Sequence, residues 1–374
     1  MKFLHNIKKL NVLGNQVYAA NSVGEVDSFP STMTIHISNR CNLRCKMCAE
    51  WRKKDETDLS LDIIEKLKDV LPFMNSIYVT GGEPLLYPHL DELFKAAKEA
   101  GCGLSMVTNG TLLNDENIER IFTHGLFRLK FSLDAATQST YSKIRGGNLE
   151  KPLQAIEKIA KIKEMNGLDW PIIEVGYVAM KSNIDELGKF IILANKIGVN
   201  EIYVSYAVAH FEEMVPESLF FMKEHSDKQM VMAKAIADSC GMRINLPRPF
   251  SYQPLSGRSA KSVEDTVCKA PWESMFLWAN GNVSLCCGNG GDTGNLTDMD
   301  FDEMWNCKSR VAARKLVNSK NPPAACRNCV TSKQNPNMIG SLFSSAATRK
   351  MAEELLKERE YVESIDRLEE KIPA

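Results

Sequence analysis

Three thiols within eight residues, Cys41, Cys45 and Cys48 in the stretch SNRCNLRCKMCAEW, constrain this chain more than any other feature. They follow a strand-like run, Met33 to Ile37, at the spacing C-x3-C-x2-C. Structural zinc closes with four ligands, and a cubane iron–sulfur cluster is usually held by four cysteines. A tight loop offering three leaves one iron of a cubane open to an exchangeable ligand. On spacing alone, zinc and a redox thiol loop remain alternatives. The chain has 11 cysteines and no export signal at its basic N-terminus, which points to a reducing, cytoplasmic setting and metal ligation rather than disulfides. A net charge of -1 and the lack of a long apolar run argue against nucleic acid or a membrane as partner.

Beyond residue 30, strand-like and helix-like stretches alternate. The strand-like runs are Met33–Ile37, Ser76–Thr80, Gly103–Thr108, Arg128–Ser132, Ile173–Val178 and Glu201–Tyr206. Helical periodicity covers Leu61–Leu71, Leu90–Ala100, Asp115–Phe122, Lys151–Met165 and Asp185–Ile197. Ser60 and Asn114 read as N-caps, Gly101 and Gly125 as C-terminal stops. Six such units predict parallel strands joined by crossover helices. Periodicity alone leaves an open doubly wound sheet as the alternative to a barrel. The expected organisation is a lead-in over 1–30, the α/β unit over 31–211, an insert or linker over 212–262, a cysteine-rich unit over 263–335 and a helical tail over 336–374.

Ligand sites of parallel α/β folds gather at the carboxyl ends of strands, and the distinctive residues fall there. Strand two ends in Gly81-Gly82-Glu83-Pro84, where two glycines permit close backbone approach to a ligand and Glu83 offers a carboxylate to an ammonium group. Strand three ends at Asn109, strand four at Ser132 and Asp134, and strand five at Asn183; Arg145 follows in SKIRGG. Asn109 and Asp134 can equally cap local turns, Asn183 a helix, and Arg145 can be solvated.

The cysteine loop, the GGEP stretch and the ordered strand-end polar residues together resemble the radical S-adenosylmethionine (SAM) superfamily. Met47 departs from the aromatic residue common before the third cysteine. The resemblance implies a partial (β/α)6 TIM-like barrel. It also implies a [4Fe–4S] cluster on Cys41, Cys45 and Cys48 whose open iron takes SAM. Cofactor contacts are then expected from Gly81, Gly82, Glu83, Pro84, Asn109, Ser132, Asp134, Arg145 and Asn183, with a flavodoxin- or ferredoxin-type protein as electron donor.

Toward the C-terminus, Asn280-Gly281 between two apolar runs signals a hairpin. With those two residues as the turn, Cys286 faces Met275 at the hairpin base, where Cys268 enters, and Cys287 points to the opposite face. Cys326 and Cys329 supply a second pair. This set resembles a twitch domain, a shortened SPASM domain of β-hairpin plus helix that holds one auxiliary [4Fe–4S] cluster; zinc on the same four thiols is the alternative, and Cys307 or Cys287 can replace one ligand. The leading expectation is a radical SAM oxidoreductase or maturase acting on a peptide or protein side chain. The competing readings are dehydrogenation or epimerisation of a sugar-like small molecule and, remotely, a zinc-holding scaffold. No evident leader-binding domain precedes residue 31, which weakens the peptide expectation.

Overall fold

The computed structural model describes residues 2–251, 268–286, 291–323, 326, 337 and 339–369. The chain opens with a helix, α1 (Lys2–Ala20), where the sequence suggested only a weakly patterned lead-in. Six parallel strands follow: β1 (Thr32–His36), β2 (Ser76–Thr80), β3 (Gly103–Thr108), β4 (Arg128–Ser132), β5 (Ile172–Ala179) and β6 (Glu201–Tyr206). The crossovers carry α2 (Leu61–Lys68), α3 (Leu90–Glu99), α4 (Asp115–His124), α5 (Gln138–Arg145), α6 (Glu150–Met165) and α7 (Leu187–Lys196).

Local chemistry sets the boundaries. Ser60 accepts a hydrogen bond from Ile63 N and Asn114 one from Asn117 N, and each such cap is worth about 1 kcal/mol. Gly125 ends α4 at φ 67°, a left-handed conformation that costs glycine nothing. Alternation along the strands then separates two faces. Ile77 and Val79 on β2 and Leu129 and Phe131 on β4 are fully buried. Their neighbours on the other face include Tyr78, Arg128 and Lys130, where Lys130 Nζ meets Glu174 at 2.6 Å and lies 4.3 Å over the Tyr203 ring.

Two features extend the expected organisation. The stretch expected as an insert or linker over 212–262 is structured over its described residues: α8 (Lys223–Ser239) packs on α7 and leads to a seventh parallel strand, β7 (Arg243–Asn245), on the β6 edge. The cysteine-rich unit expected over 263–335 joins the same sheet. Its strand β8 (Ser274–Leu277) pairs in parallel with β1, and β9 (Asn282–Ser284) and β10 (Asp292–Asn295) extend the sheet antiparallel. The result is one open ten-stranded sheet ordered β10-β9-β8-β1-β2-β3-β4-β5-β6-β7.

The hairpin register also differs from the expected one. Phe276 pairs with Ser284 and Leu277 with Val283, while Trp278 N donates to Asn282 O at 2.9 Å. The turn therefore holds Ala279, Asn280 and Gly281, with Gly281 at φ 84°. That shift of one residue places Cys286 across from Ser274 rather than Met275, because the single left-handed glycine closes a three-residue turn. Cys287 and Cys329 lie outside the described residues.

Candidate active site

The cysteine loop leaves the carboxyl end of β1 and is fastened on all sides. Arg40 grips Asp58 through Nε (3.1 Å to Oδ1) and Nη2 (2.5 Å to Oδ2) and donates to Leu86 O at 3.0 Å. Trp51 Nε1 donates to Cys45 O at 2.9 Å, and Lys46 N to Ile144 O at 2.7 Å. From below, the strand-two turn presses on the loop backbone: Gly82 N donates to Ser38 O at 2.6 Å and Glu83 N to Arg40 O at 2.7 Å. A Cβ on Gly81 would sit 2.4 Å from Ser38 O, and one on Gly82 2.0 Å from Arg40 O. The glycines thus make room for the cysteine loop.

The three thiols suit a cluster. Backbone N–H groups reach Cys41 Sγ from Leu43 and Cys48 Sγ from Glu50, both at 3.4 Å. The Arg145 guanidinium reaches Cys45 Sγ at 3.6 Å, and Asn109 Nδ2 reaches Cys41 Sγ at 4.0 Å. Donors aimed at sulfur stabilise thiolates bound to iron. Without a metal charge, burial pushes the Cys41 thiol up and the Cys45 thiol up to about 11, so deprotonation must be coupled to metal binding. Among the described residues, no three His, Cys, Asp or Glu side chains converge as ligands of a single ion. Three thiols from one tight loop suit a cubane, which places a separate iron under each sulfur.

The strand-end residues come together around this loop, in roles the sequence left open. Glu83 is fully buried and accepts from Thr108 Oγ1 (2.7 Å), Asn109 N (2.8 Å) and Leu85 N (3.3 Å). Burial pushes its carboxyl up to about 7 against those hydrogen bonds. Pro84 starts the short helical turn that follows. Asn109 bridges to Asn42 Oδ1 at 2.8 Å while Thr111 N donates to its own oxygen at 2.9 Å.

Asp134, at φ 62°, is fully buried; it accepts from Val178 N at 2.6 Å and from Arg145 Nε at 2.8 Å, with a second close contact to Arg145 Nη2. The pair carries β4 and β5 to Cys45, so Arg145 is not solvated, and the Asp134 carboxylate is committed to positioning the loop. Asn183 is likewise committed: its amide donates to Asp134 O and Val178 O, both at 2.9 Å, and accepts from Met180 N at 2.8 Å. It locks two strand ends and makes no side-chain cap of the helix that follows. Ser132 stands half-buried at the end of β4.

Beside the loop lies a cavity of about 350 Å³ lined by His36, Asn39, Lys53, Trp278, Ser284 and Asp292 among others. It is shared by the barrel and the C-terminal strands. Most of its polar groups are mutually satisfied: Trp278 Nε1 donates to Ser284 Oγ (2.8 Å), which donates to Asp292 Oδ1 (3.0 Å). His36 differs. It is 5% exposed; its Nε2 lies 2.9 Å from Glu50 Oε2, and no hydrogen-bond partner meets its ring nitrogens among the described residues. Burial pushes the Glu50 carboxyl up, but His36 and the Lys53 ammonium beside it hold it at about 2. The sequence analysis missed His36, although strand alternation sets it on the face opposite Ile35 and Ile37.

At the second cysteine site, Cys268 N is held by Asn318 Oδ1 at 2.8 Å and Cys326 N by Pro323 O at 2.8 Å. Cys286 follows β9, and Cys307 caps the helix Lys308–Leu316, with its sulfur 3.0 Å from Thr293 O. Two arginines of that helix, Arg310 and Arg314, are fully buried. Arg310 donates to Ser274 O (2.7 Å), the position across from Cys286, and Arg314 to Pro271 O (3.1 Å) and Gly24 O (2.9 Å). They stack at 3.9 and 4.5 Å over Trp305. No carboxylate pairs with either among the described residues, and Arg310 Nε and Nη1 and Arg314 Nη2 lack partners. Burial and the repulsion of Arg314 push Arg310 well below its usual range, while Cys307 and Cys286 pull it back. Uncompensated buried cations are expensive. A cubane carrying four thiolates is anionic and would supply a counter-charge there, so the charge of this surround suits such a group.

Residues 35–194 match the model of the radical SAM superfamily, and residues 268–330 match that of SPASM, an iron–sulfur cluster-binding domain. A cofactor-modifying protein for tungsten-containing aldehyde ferredoxin oxidoreductase from Pyrococcus furiosus is 31% identical over 195 residues, 50% of this chain and 54% of that protein. The chain thus spans about half the length of that relative. An AdoMet-dependent heme synthase from Methanosarcina barkeri is 24% identical across 80% of this chain and 88% of its own. Among solved structures, SuiB of Streptococcus suis with S-adenosylmethionine superposes with a TM-score of 0.63 at 17% identity, covering 85% of this chain and 74% of SuiB. SuiB bound to its precursor peptide SuiA gives a TM-score of 0.58 at 15% identity, covering 87% of this chain and 74% of SuiB.

Proposed function

Because this chain belongs to the radical SAM superfamily and carries a C-terminal SPASM domain, we propose that it oxidises a side chain of a peptide or protein substrate by hydrogen-atom abstraction. SAM and a [4Fe–4S] cluster are the cofactors of the first domain, and an auxiliary iron–sulfur cluster that of the second. Bound there, SAM and its cluster supply reductive cleavage of a sulfonium to a 5′-deoxyadenosyl radical and methionine.

The chain's own residues do the holding. Cys41, Cys45 and Cys48 ligate, and the Asp134–Arg145 pair fixes Cys45. Glu83 would take the ammonium group of SAM, with Asn109 and Ser132 offering hydrogen bonds to its ribose or carboxylate. Cys268, Cys286, Cys326 and Cys329 hold one auxiliary cluster. His36 and Trp278 line the space where substrate meets both domains, and their cavity excludes bulk water from one wall. A flavodoxin- or ferredoxin-type protein supplies the electron.

The observation that carries the oxidative reading is that Arg310 and Arg314, buried near Cys307 and, for Arg310, Cys286, meet no carboxylate among the described residues. Positive charge there favours the reduced, more negative form of a cluster, which suits an acceptor for the second electron of an oxidation. The peptide reading draws support from the fold shared with SuiB, which has been seen with a precursor peptide. A second reading is favoured by sequence: the heme synthase aligns along 80% of this chain, which supports a small-molecule substrate. Anaerobically reconstituted, reduced protein is to be given SAM and deuterated candidates of both kinds. Deuterium in 5′-deoxyadenosine from a peptide supports the first reading. Transfer only from a small molecule replaces it.

A further inference from the structure

Helix α1 is amphipathic the wrong way round. Its inward face is polar. Lys8 Nζ donates to Gly101 O at 2.6 Å, Asn11 Nδ2 to Phe29 O (2.9 Å) and Phe73 O (3.1 Å), and Asn15 Nδ2 to Phe29 O at 2.8 Å. All three residues are buried. Its outward face is apolar: Phe3 is 74% exposed, Leu10 69%, Leu13 57% and Val17 58%. A surface helix normally turns its apolar stripe to the core. Here amide and ammonium hydrogen bonds fasten the helix, and the stripe is left over.

The stripe has the period of a helix-pairing seam. Residues 3, 6, 10, 13, 17 and 20 are all exposed and alternate in steps of three and four, the 3.5-residue repeat by which two helices interlock. We propose that this seam is the interface of a homodimer, in which α1 pairs antiparallel with α1 of a second copy. Size and charge select that partner and that direction. Antiparallel pairing sets Phe3 against Ala20, Asn6 against Val17 and Leu10 against Leu13 of the other copy, so the largest side chain meets the smallest.

The helix has no acidic residue, and its cations, Lys2, Lys8 and Lys9, all lie in its first half. A parallel pair would bring both basic halves together. The antiparallel pair sets each against a neutral half and opposes the two helix dipoles. The four exposed apolar side chains of each copy bury on the order of 1,000 Å² in the pair, the lower limit for a specific interface. The dimer is therefore a dissociable one.

Sedimentation equilibrium of the full-length, cluster-loaded protein tests this. Wild type is expected to pass from monomer to dimer in the micromolar range, with L10E and L13K each weakening association by at least about tenfold. In the double variant L10E/L13K, each glutamate faces a lysine of the other copy only if the helices run antiparallel, and association returns. A wild-type protein that stays monomeric to about 100 µM, or a double variant as monomeric as the singles, overturns the proposal. So does a monomer that instead sediments with anionic phosphatidylserine vesicles. The substituted positions are exposed, and unchanged circular dichroism and cluster absorbance of each variant confirm that folding is intact.

Discussion

The two cysteine sites of this molecule are built in opposite ways. The first draws three thiols from one loop, and the cation beside it, Arg145, is paired with a buried carboxylate, Asp134. The second set of thiols comes from separated segments of the chain, and the buried cations near it, Arg310 and Arg314, meet backbone carbonyls, one amide oxygen and an indole ring among the described residues. A balanced surround leaves the charge of a cluster unchanged. An unbalanced one stabilises added negative charge. Under the proposed oxidative reading, an electron would pass in at the first site and be taken up at the second.

That contrast can be broken by experiment. The largest effect is expected from replacing Cys41, Cys45 and Cys48 by Ala: 5′-deoxyadenosine formation should vanish while about one cubane of iron remains. Changing Cys326 and Cys329 to Ala should do the converse, removing about one cubane and sparing SAM cleavage. Iron analysis beside a cleavage assay separates them, and loss of all iron from either variant would tie the sites together.

Next comes Asp134→Ala, which strands the buried Arg145 guanidinium. Unfolding stability should fall by about 3–5 kcal/mol, read by denaturant titration of the metal-free protein. A loss below about 1 kcal/mol would show that the pair does not hold the loop.

Arg310→Met should lower the midpoint potential of the auxiliary cluster and leave that of the first cluster in place. Redox titration followed by electron paramagnetic resonance reads both, and equal shifts at the two sites would erase the proposed asymmetry.

Glu83 gives a subtler test. Burial raises its folded pKa to about 7 from an ordinary 4.5. Between those values the folded protein holds the proton that the unfolded chain releases, so stability of the metal-free protein falls as pH rises through about 4.5 to 7. The total is about 3 kcal/mol at most. Glu83→Gln should flatten that slope. A variant with the wild-type pH profile would place the titration elsewhere.

Much of the first site was legible in the chain. Spacing supplied the thiols, period-2 and period-3.6 patterns supplied six strands and five helices to within a few residues, and Gly81 and Gly82 marked a place where backbones touch. What they touch was not legible. Glycine announces close approach, but not whether the neighbour is a ligand or the next loop. Asp134 and Asn183 were found as strand-end polar residues and Arg145 in SKIRGG, yet only the fold shows them bonded to one another and to the backbone. The C-terminal register was off by one because Asn-Gly fits both a two-residue and a three-residue turn, and the choice depends on how the strands twist. His36, Arg310 and Arg314 carry no motif at all. Their meaning lies in what surrounds them after folding.

The sequence by itself determined the α/β class, the loop that offers three thiols and the order of polar residues along the strand ends, because these follow from local periodicity and contiguous spacing. The tertiary structure alone decided that β8 joins β1 in one continuous sheet, that two arginines are buried with no carboxylate partner among the described residues, and that α1 turns its apolar stripe outward. Each of these depends on contacts between residues far apart in the chain, and burial and charge balance exist only once those contacts form.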